Sequence, residues 1–257
     1  LTAGKTLEQI VDGDKKSYVM QYIDWKHIEN NVFHVTEEFA VSRMGMSDTY
    51  RPDIVLFVNG IPLAVIECKA PHISVEQGIE QMIRNQQDEY IPQLFKYIQI
   101  VMATNKNSVK YATTGTGKKY WSVWKEEDVD YLETAKAKYV EDRVPTVQDE
   151  NIISLLSIDR LNELTKYFVL YDANVKKICR YQQYFAIKEI IKTINTNDVE
   201  GNRQSGVIWH TQGSGKSLTM VMLAKYILLE MARFEPKVVI VTDRKELDKQ
   251  IAKTFTH

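Results

Sequence analysis

The sequence predicts an α/β protein in two parts: a first domain with a mixed sheet, then the beginning of a strand–loop–helix domain. Three stretches predict it. Val207-Ile208-Trp209 is a short apolar run; the glycine-bearing loop His210-Thr211-Gln212-Gly213-Ser214-Gly215 follows, then Lys216-Ser217-Leu218-Thr219-Met220-Val221-Met222-Leu223-Ala224. This reads as a buried strand passing through a tight loop into a buried helix. Ile54–Val58 and residues 63–69 flank Asn59-Gly60, the strongest short signal for an antiparallel hairpin. Val238-Val239-Ile240-Val241 repeats the apolar-strand pattern and runs into Thr242-Asp243-Arg244. The boundary is expected near residue 160, giving parts 1–160 and 161–257.

Composition narrows the classes. The chain is 44% hydrophobic and 26% charged with a net charge of -1, an ordinary globular balance. No global basic field exists, so any nucleic-acid surface must be local. Cys68 and Cys179 are the only cysteines, too few and too distant for a disulfide scaffold or zinc site, so a reducing cytoplasm is expected. No apolar run approaches the ~18 residues of a membrane span. The start, Leu1-Thr2-Ala3-Gly4-Lys5, is neither a signal peptide nor an initiator methionine, and His257 closely follows the second apolar run. The chain is therefore expected to be part of a longer one.

In order, Tyr18-Val19-Met20-Gln21-Tyr22-Ile23 with Trp25 is expected as a helix. Asn31-Val32-Phe33-His34-Val35-Thr36-Glu37-Glu38-Phe39-Ala40-Val41 alternates as a strand does, and Gly45 with Ser47-Asp48 marks a loop. After the hairpin, Ser74-Val75-Glu76-Gln77 has the form of a capping box. It opens a helix expected through Tyr90, with Val75, Ile79, Met82 and Ile83 as its apolar stripe, Gln86 and Tyr90 continuing that stripe, and Pro92 ending it. Ile98-Gln99-Ile100-Val101-Met102-Ala103 is the next strand. Gly115-Thr116-Gly117-Lys118-Lys119 is a turn without the strand-to-helix context of a dinucleotide fingerprint, and Tyr120, Trp121 and Trp124 are expected in the core. Residues 133–163 are helix-prone around the breaker Val144-Pro145, and residues 155–170 read as an apolar helix and connector. Arg180-Tyr181-Gln182-Gln183-Tyr184-Phe185-Ala186 opens an amphipathic helix ahead of the glycine loop.

Two constellations carry chemistry. In residues 63–69, Leu63, Val65, Glu67 and Lys69 share one face by the period of two. Folding back about Asn59-Gly60 brings Asp53 opposite Ile66 to Cys68, so its carboxylate lies beside that of Glu67. Like charges gathered at the end of an apolar hairpin are costly unless a cation joins them, and Mg²⁺ suits two hard carboxylates. Lys69 then orients or helps deprotonate a water for attack on a phosphodiester. Solvated charges at a strand end, with Lys69 merely pairing Glu67, are the plainer alternative; Asp53 after Pro52, thirteen residues, then Glu-x-Lys closing an apolar strand weighs against it. Gln86 and Tyr90 either find partners in the core or help hold a scissile phosphate. In the second constellation Gly213 and Gly215 let backbone N–H groups turn toward a phosphate, the following helix adds its N-terminal dipole, Lys216 reaches β/γ-phosphates, and the Ser217 hydroxyl can ligate Mg²⁺. His210 stands where the usual pattern begins with glycine. A glutamine such as Gln183 can bond an adenine edge with donor and acceptor together.

With both sites in view, the sequence resembles the motor–nuclease (R) subunit of type I restriction–modification enzymes. Arg51-Pro52-Asp53, Asn59-Gly60-Ile61-Pro62-Leu63 and Glu67-Cys68-Lys69 look like that family's PD-(D/E)xK motif, and Gln86 with Tyr90 looks like the Q-x-x-x-Y element of the RecB-like nuclease branch. Ile91-Pro92-Gln93-Leu94-Phe95 resembles the segment after it, Arg180 and Gln183 the adenine-reading motif, and Trp209 to Ser217 the family's own phosphate loop. Thr242-Asp243-Arg244 is similar to the motif that follows. The resemblance implies a RecB-like nuclease domain over 1–160 and the first part of a RecA-like P-loop motor over 161–257. It implies Mg²⁺ and ATP as cofactors. Asp53, Glu67, Lys69, Gln86 and Tyr90 would be catalytic; Asp53, Glu67, the Cys68 backbone carbonyl and Ser217 would hold metal. Arg180, Gln183, Thr211, Gly213, Ser214, Gly215, Lys216 and Ser217 would bind nucleotide. The implied partners are double-stranded DNA and the methylation (M) and specificity (S) subunits, with no membrane, in the cytoplasm. Residues 1–257 carry no acidic Walker B motif, so turnover of ATP by this stretch alone is not expected. Two alternatives remain at this level: a superfamily 2 repair or remodelling ATPase whose N-terminal domain only binds DNA, and a non-catalytic scaffold.

Overall fold

The computed structural model describes residues 1–242 together with Lys245, Asp248 and Ala252. β1 (Lys5–Val11) and β2 (Asp14–Met20) form a hairpin about Asp12-Gly13, which takes positive φ at both positions, 54° and 85°. Asp-Gly suits this primed turn geometry. Tyr18, Val19 and Met20 are therefore strand and not helix. Cross-strand pairing from Val11 with Asp14 out to Lys5 with Met20 satisfies the backbone, whereas an isolated helix this short is unstable in water.

The expected long strand at 31–41 is split. β3 (Phe33–Glu37) ends at Glu38, which has φ 47° and donates its N–H to the Asp53 carbonyl. β4 (Val41–Ser42) then pairs with β5 (Thr49–Tyr50). β6 (Ile54–Val58) and β7 (Ile61–Cys68) form the expected antiparallel hairpin, with Asn59 and Gly60 at φ 51° and 79°. Helix α1 (Val75–Asn85) crosses over to β8 (Ile100–Asn105), and β9 (Ser108–Ala112) returns antiparallel. The sheet order is β3-β6-β7-β8-β9, with β7 and β8 parallel and the other pairs antiparallel, so the sheet is mixed as expected.

Period two divides the core between the faces. Val65, Val101 and Ala103 face α1, where Val75, Ile79 and Met82 meet them. Ala64, Ile66, Ile100 and Met102 face the other way, into the larger apolar cluster. Glu67 lies on the Val65 face, beneath α1. That helix is shorter than expected: it stops at Asn85, Gln86 is its C-cap, and Tyr90 lies beyond it. The expected box is not formed: Ser74 accepts from the Glu76 N–H, one position short of Gln77, and caps the helix alone.

The second half is helical. α2 (Val129–Tyr139), α3 (Val147–Leu156) and α4 (Ile158–Tyr167) follow the expected break around Val144-Pro145. A full capping box joins Thr146 and Asp149 at the start of α3. The apolar stretch ending near Leu170 is not all helix and connector: β10 (Val169–Asp172) and β11 (Val175–Ile178) form a small hairpin about Ala173 and Asn174, both at positive φ. α5 (Tyr181–Ile194) and α6 (Lys216–Glu230) complete the helices. One apolar cluster runs from Val58, Leu63 and Ile66 through Leu155, Leu164 and Phe168 to Tyr184 and Met222, so packing is continuous across residue 160. Arg160 is buried in it, paired to Glu126 at 3.1 Å with its guanidinium 4.5 Å from the Tyr184 ring centroid. Tyr111 spans the same junction by donating its hydroxyl to the Cys179 carbonyl at 2.8 Å. Trp121 and Trp124 are buried as expected, but Tyr120 is 58% exposed, its ring under the Lys119 ammonium.

The two apolar runs read as motor strands are not strands. Val207 and Trp209 are more than 90% exposed, and Val239 and Val241 are also exposed. Among the described residues no strand pairs with either run, and a strand cannot satisfy its backbone groups alone. Asp243 and Arg244, the rest of the expected motif there, lie outside the described residues.

Candidate active site

The site is built on the β6–β7 hairpin. Its turn is anchored by Asn59, whose side chain accepts from the Val32 N–H at 2.8 Å and donates to the Tyr22 carbonyl and to Asn31 Oδ1. The anchored turn sets Val58 against Ile61 and Phe57 against Pro62; a bulge between Leu56 and Phe57 then shifts the register by one, so Ile54 pairs with Ile66. Asp53, one residue before that pair, sits beside Glu67, one residue after it. The Cys68 N–H donates to Asp53 Oδ2 at 2.6 Å, aiming the carboxylate along the strand end.

Glu67 is 1% exposed. Its Oε1 takes the Lys69 ammonium at 2.5 Å. Its Oε2 is buried with no hydrogen-bond partner among the described residues. Gly78 explains how α1 closes over these groups: a Cβ there would stand 3.2 Å from Ala103 Cβ and 3.5 Å from Glu67 Cγ. Glycine lets the helix lie close on β7 and β8, since a larger residue would press Ala103 away from it by a few tenths of an ångström. One turn further, Gln81 Oε1 accepts from Lys69 Nζ at 2.9 Å, so the ammonium is held between a strand carboxylate and a helix amide.

Burial pushes the Glu67 carboxyl up to about 7, against the pull of Lys69 and with the added push of the Asp53 charge. Burial, with Asp53 and Glu67 nearby, also raises the Cys68 thiol to about 11, so this thiol is neutral at physiological pH. A carboxyl raised in this way binds its proton more tightly folded than unfolded. As pH rises from about 4.5 to about 7, the unfolded chain loses that proton first and stability falls; above that window the loss is complete. Glu67→Gln is therefore expected to stabilise the metal-free protein by about 2 kcal/mol at pH 8 and by almost nothing at pH 4. Chemical denaturation in chelator at both pH values checks this; equal gains at both would contradict a buried, strained carboxylate.

The residues fit a hard divalent cation. An orphaned buried carboxylate oxygen of Glu67 and a second carboxylate, Asp53, beside it supply oxygen donors. Among the described residues no third His, Cys, Asp or Glu side chain joins them. Mg²⁺ tolerates that, because it keeps several waters and takes substrate phosphate oxygens.

Gln86 and Tyr90 do not join this group. Gln86 donates to the Met82 carbonyl at 2.9 Å and accepts from the Gly115 N–H at 2.8 Å, which ties the helix end to the turn after β9. Tyr90 stacks edgewise on Tyr50. The glutamine that reaches Lys69 is Gln81, which the sequence reading passed over. Its one available signal was helical spacing, three residues past Gly78 on a helix that must cross the Glu-x-Lys strand end.

The second site lies at the start of α6. Gly213 and Gly215 have φ 77° and 85°, and Gly215 caps the helix in the left-handed conformation. Lys216 is exposed on the first helical turn. Ser214 Oγ donates to the Thr211 carbonyl at 2.8 Å and holds the loop's curve. Gln183 is buried and spends its amide inside the protein: Oε1 accepts from the Arg180 N–H at 2.9 Å and Nε2 donates to the Gly215 carbonyl at 3.2 Å. It braces α5 against the loop. A Cβ on Gly215 would lie 2.7 Å from that Nε2. Arg180, Gln183 and Gly213 to Gly215 line a cleft of about 590 Å³, whose far wall is Gly115, Thr116, Gly117 and Tyr120. Among the described residues no helix is long and apolar enough to cross a membrane.

Comparison with known proteins covers both parts of the chain. Residues 1–120 match the family described as Type I restriction enzyme R protein N terminus, and residues 182–257 match SWI2/SNF2 ATPase. The Type I restriction enzyme HindI endonuclease subunit of Haemophilus influenzae is 31% identical over 266 residues, 100% of this chain and 24% of that protein. A candidate MjaIXP type I restriction endonuclease subunit of Methanocaldococcus jannaschii is 31% identical over 271 residues, 100% of this chain and 26% of that protein. The SsaAORF53P endonuclease subunit of Staphylococcus saprophyticus is 27% identical over 248 residues, 94% of this chain and 24% of that protein. The chain thus spans about a quarter of the length of the curated relatives it matches.

Proposed function

Because the chain belongs to the type I restriction enzyme R protein family, we propose that it supplies the Mg²⁺-dependent nuclease centre of such an enzyme and the start of the ATP-driven motor that moves double-stranded DNA. Residues 1–160 are the PD-(D/E)xK nuclease domain, and residues 161–257 open the RecA-like motor domain. The observation that carries the reading is Asp53 beside a buried Glu67 whose second oxygen lacks a partner among the described residues, with Lys69 clamped alongside. Asp53, Glu67 and the Cys68 carbonyl hold the cation, which would neutralise the carboxylates and polarise a phosphodiester oxygen. Lys69, fixed by Glu67 and Gln81, orients a water at its Nζ and carries part of the charge that develops on the phosphate. Raised proton affinity at Glu67 makes cation binding weaken as pH falls below about 7.

At the second site the loop amides, Lys216 and Ser217 hold the nucleotide phosphates and their Mg²⁺, and Arg180 with Gln183 frames the cleft beside them. The working complex includes the methylation and specificity subunits, which select the DNA, and acts in the cytoplasm. The SWI2/SNF2 ATPase match lies on the motor part alone, which a remodelling ATPase would share, so it does not favour that alternative. Plasmid cleavage by the assembled enzyme tests the reading. Cutting should require Mg²⁺ or Mn²⁺ and stop in excess chelator; cutting that persists without divalent metal would refute it.

A further inference from the structure

The loop after α1, which does not reach Lys69, gathers two arginines on one ring. The Arg84 guanidinium stands 5.3 Å from the Tyr90 ring centroid and that of Arg43 stands 5.7 Å from it. Tyr50 supports the ring edgewise at 5.2 Å, and Gln93 ties the same loop to the Ser42 carbonyl at 2.6 Å. Arg43 comes from the β4–β5 hairpin, donates its Nε to the Glu89 carbonyl and leans on Asp48 at 3.3 Å. Arg84 is exposed and forms no ion pair among the described residues, although Asp88 and Glu89 follow within five positions.

The placement of Arg84 on α1 gives this pair a direction. Gln77, Gln81 and Arg84 share one helix face, and Gln81 touches Lys69. The one carboxylate bordering that face, Glu80 one turn before Arg84, is taken up by Lys118 at 2.6 Å. Glu76, the other acid of α1, is neutralised by Lys110 and Lys118. A strip that is uncharged at the nuclease centre and cationic one turn away suits a polyanion that enters from the Arg84 end. Arg84, mounted on an aromatic face, loses little freedom when it takes a phosphate and keeps its fork for two of its oxygens, while Arg43, whose Nε serves the Glu89 carbonyl and whose Nη1 faces Asp48, adds positive charge beside it.

We propose that Arg84 and Arg43, held by Tyr90, are positioning residues that grip backbone phosphates of the DNA strand next to the phosphate cut at Glu67 and Lys69. The assignment rests on the nuclease reading above. It gives Tyr90 the role of a platform for cations.

The test uses the complete restriction enzyme carrying full-length subunits with Arg84→Ala, Arg84→Lys or Glu67→Ala. Cleavage rates are measured across a salt series, with ATP hydrolysis measured in parallel. Arg84→Ala is expected to slow cleavage by about ten-fold or more at moderate salt, the loss of one charged hydrogen-bonding contact. It should also flatten the log–log salt dependence by about 0.9, the share of one phosphate contact. Arg84→Lys should restore most of the slope, and ATP hydrolysis should stay unchanged. Wild-type cleavage by Arg84→Ala would overturn the proposal. So would slower cleavage with an unaltered salt slope, because that marks a structural role. Wild-type cleavage by Glu67→Ala would instead remove the nuclease reading itself, which keeps the two failures distinct.

Discussion

Glu67→Ala in the complete enzyme is expected to lower DNA cleavage by about 10³-fold or more and to leave DNA-stimulated ATP hydrolysis near its wild-type rate. Glu67 is the buried member of the carboxylate pair, and its Oε2 has no partner to lose among the described residues. On the proposed reading, removing Glu67 takes away one of the two carboxylates that would hold the cation. A metal's stabilisation of developing phosphate charge is worth several kcal/mol, and each 1.4 kcal/mol is about ten-fold in rate. Lys69→Ala should fall in the same direction by about 10²–10⁴-fold, the range of one positioned proton-handling group. Lys69→Ala leaves the Glu67 carboxyl buried without the Lys69 ammonium, so a denaturation midpoint measured on the same preparation separates lost chemistry from lost fold. The other partner lost is Gln81, which is half-buried at the helix face. Plasmid cleavage and ATPase assays on one preparation decide the matter. ATPase that falls as steeply as cleavage would contradict two separate centres.

Lys216→Ala is expected to do the converse at the motor, reducing ATP hydrolysis by about 10²-fold or more, as removal of one preorganised phosphate-stabilising donor does. It should also stop whatever cleavage depends on DNA translocation, while Asp53, Glu67 and Lys69 stay in place. Gly215→Ala should match it for a different reason. The residue holds φ 85°, and an added Cβ would collide with Gln183 Nε2 at 2.7 Å. The collision dislodges the glutamine that braces α5 against the loop, so nucleotide binding weakens although every phosphate-contacting side chain remains. Fluorescent nucleotide titration measures both variants. Unchanged binding in Gly215→Ala would show that the loop tolerates a left-handed alanine and that the Gln183 contact is incidental.

The sequence by itself determined the β6–β7 hairpin. Asn59-Gly60 sets the turn, and strand alternation puts Glu67 and Lys69 on one face; that Asp53 falls opposite Glu67 and not Ile66 was decided by the bulge between Leu56 and Phe57, which shifts the register by one. The sequence determined the glycine-capped start of α6 for the same reason as the turn: positive φ at Gly213 and Gly215 is a local demand. The Asp12-Gly13 turn carried an equally local signal for the first hairpin, and the apolar and aromatic residues after it masked that signal. Tertiary structure decided which glutamine serves Lys69. Gln81 and Gln86 lie on or next to one helix, and only the docking of α1 on β7 and β8 through Gly78 selects the first. Where α1 ends is set by what Gln86 bonds across the fold, the Gly115 N–H, and no periodicity within the helix reports that. Val207-Ile208-Trp209 and Val238-Val239-Ile240-Val241 make the same point in reverse. Their apolar pattern is strand-like, but a strand exists only where a neighbour accepts its hydrogen bonds, and among the described residues none does.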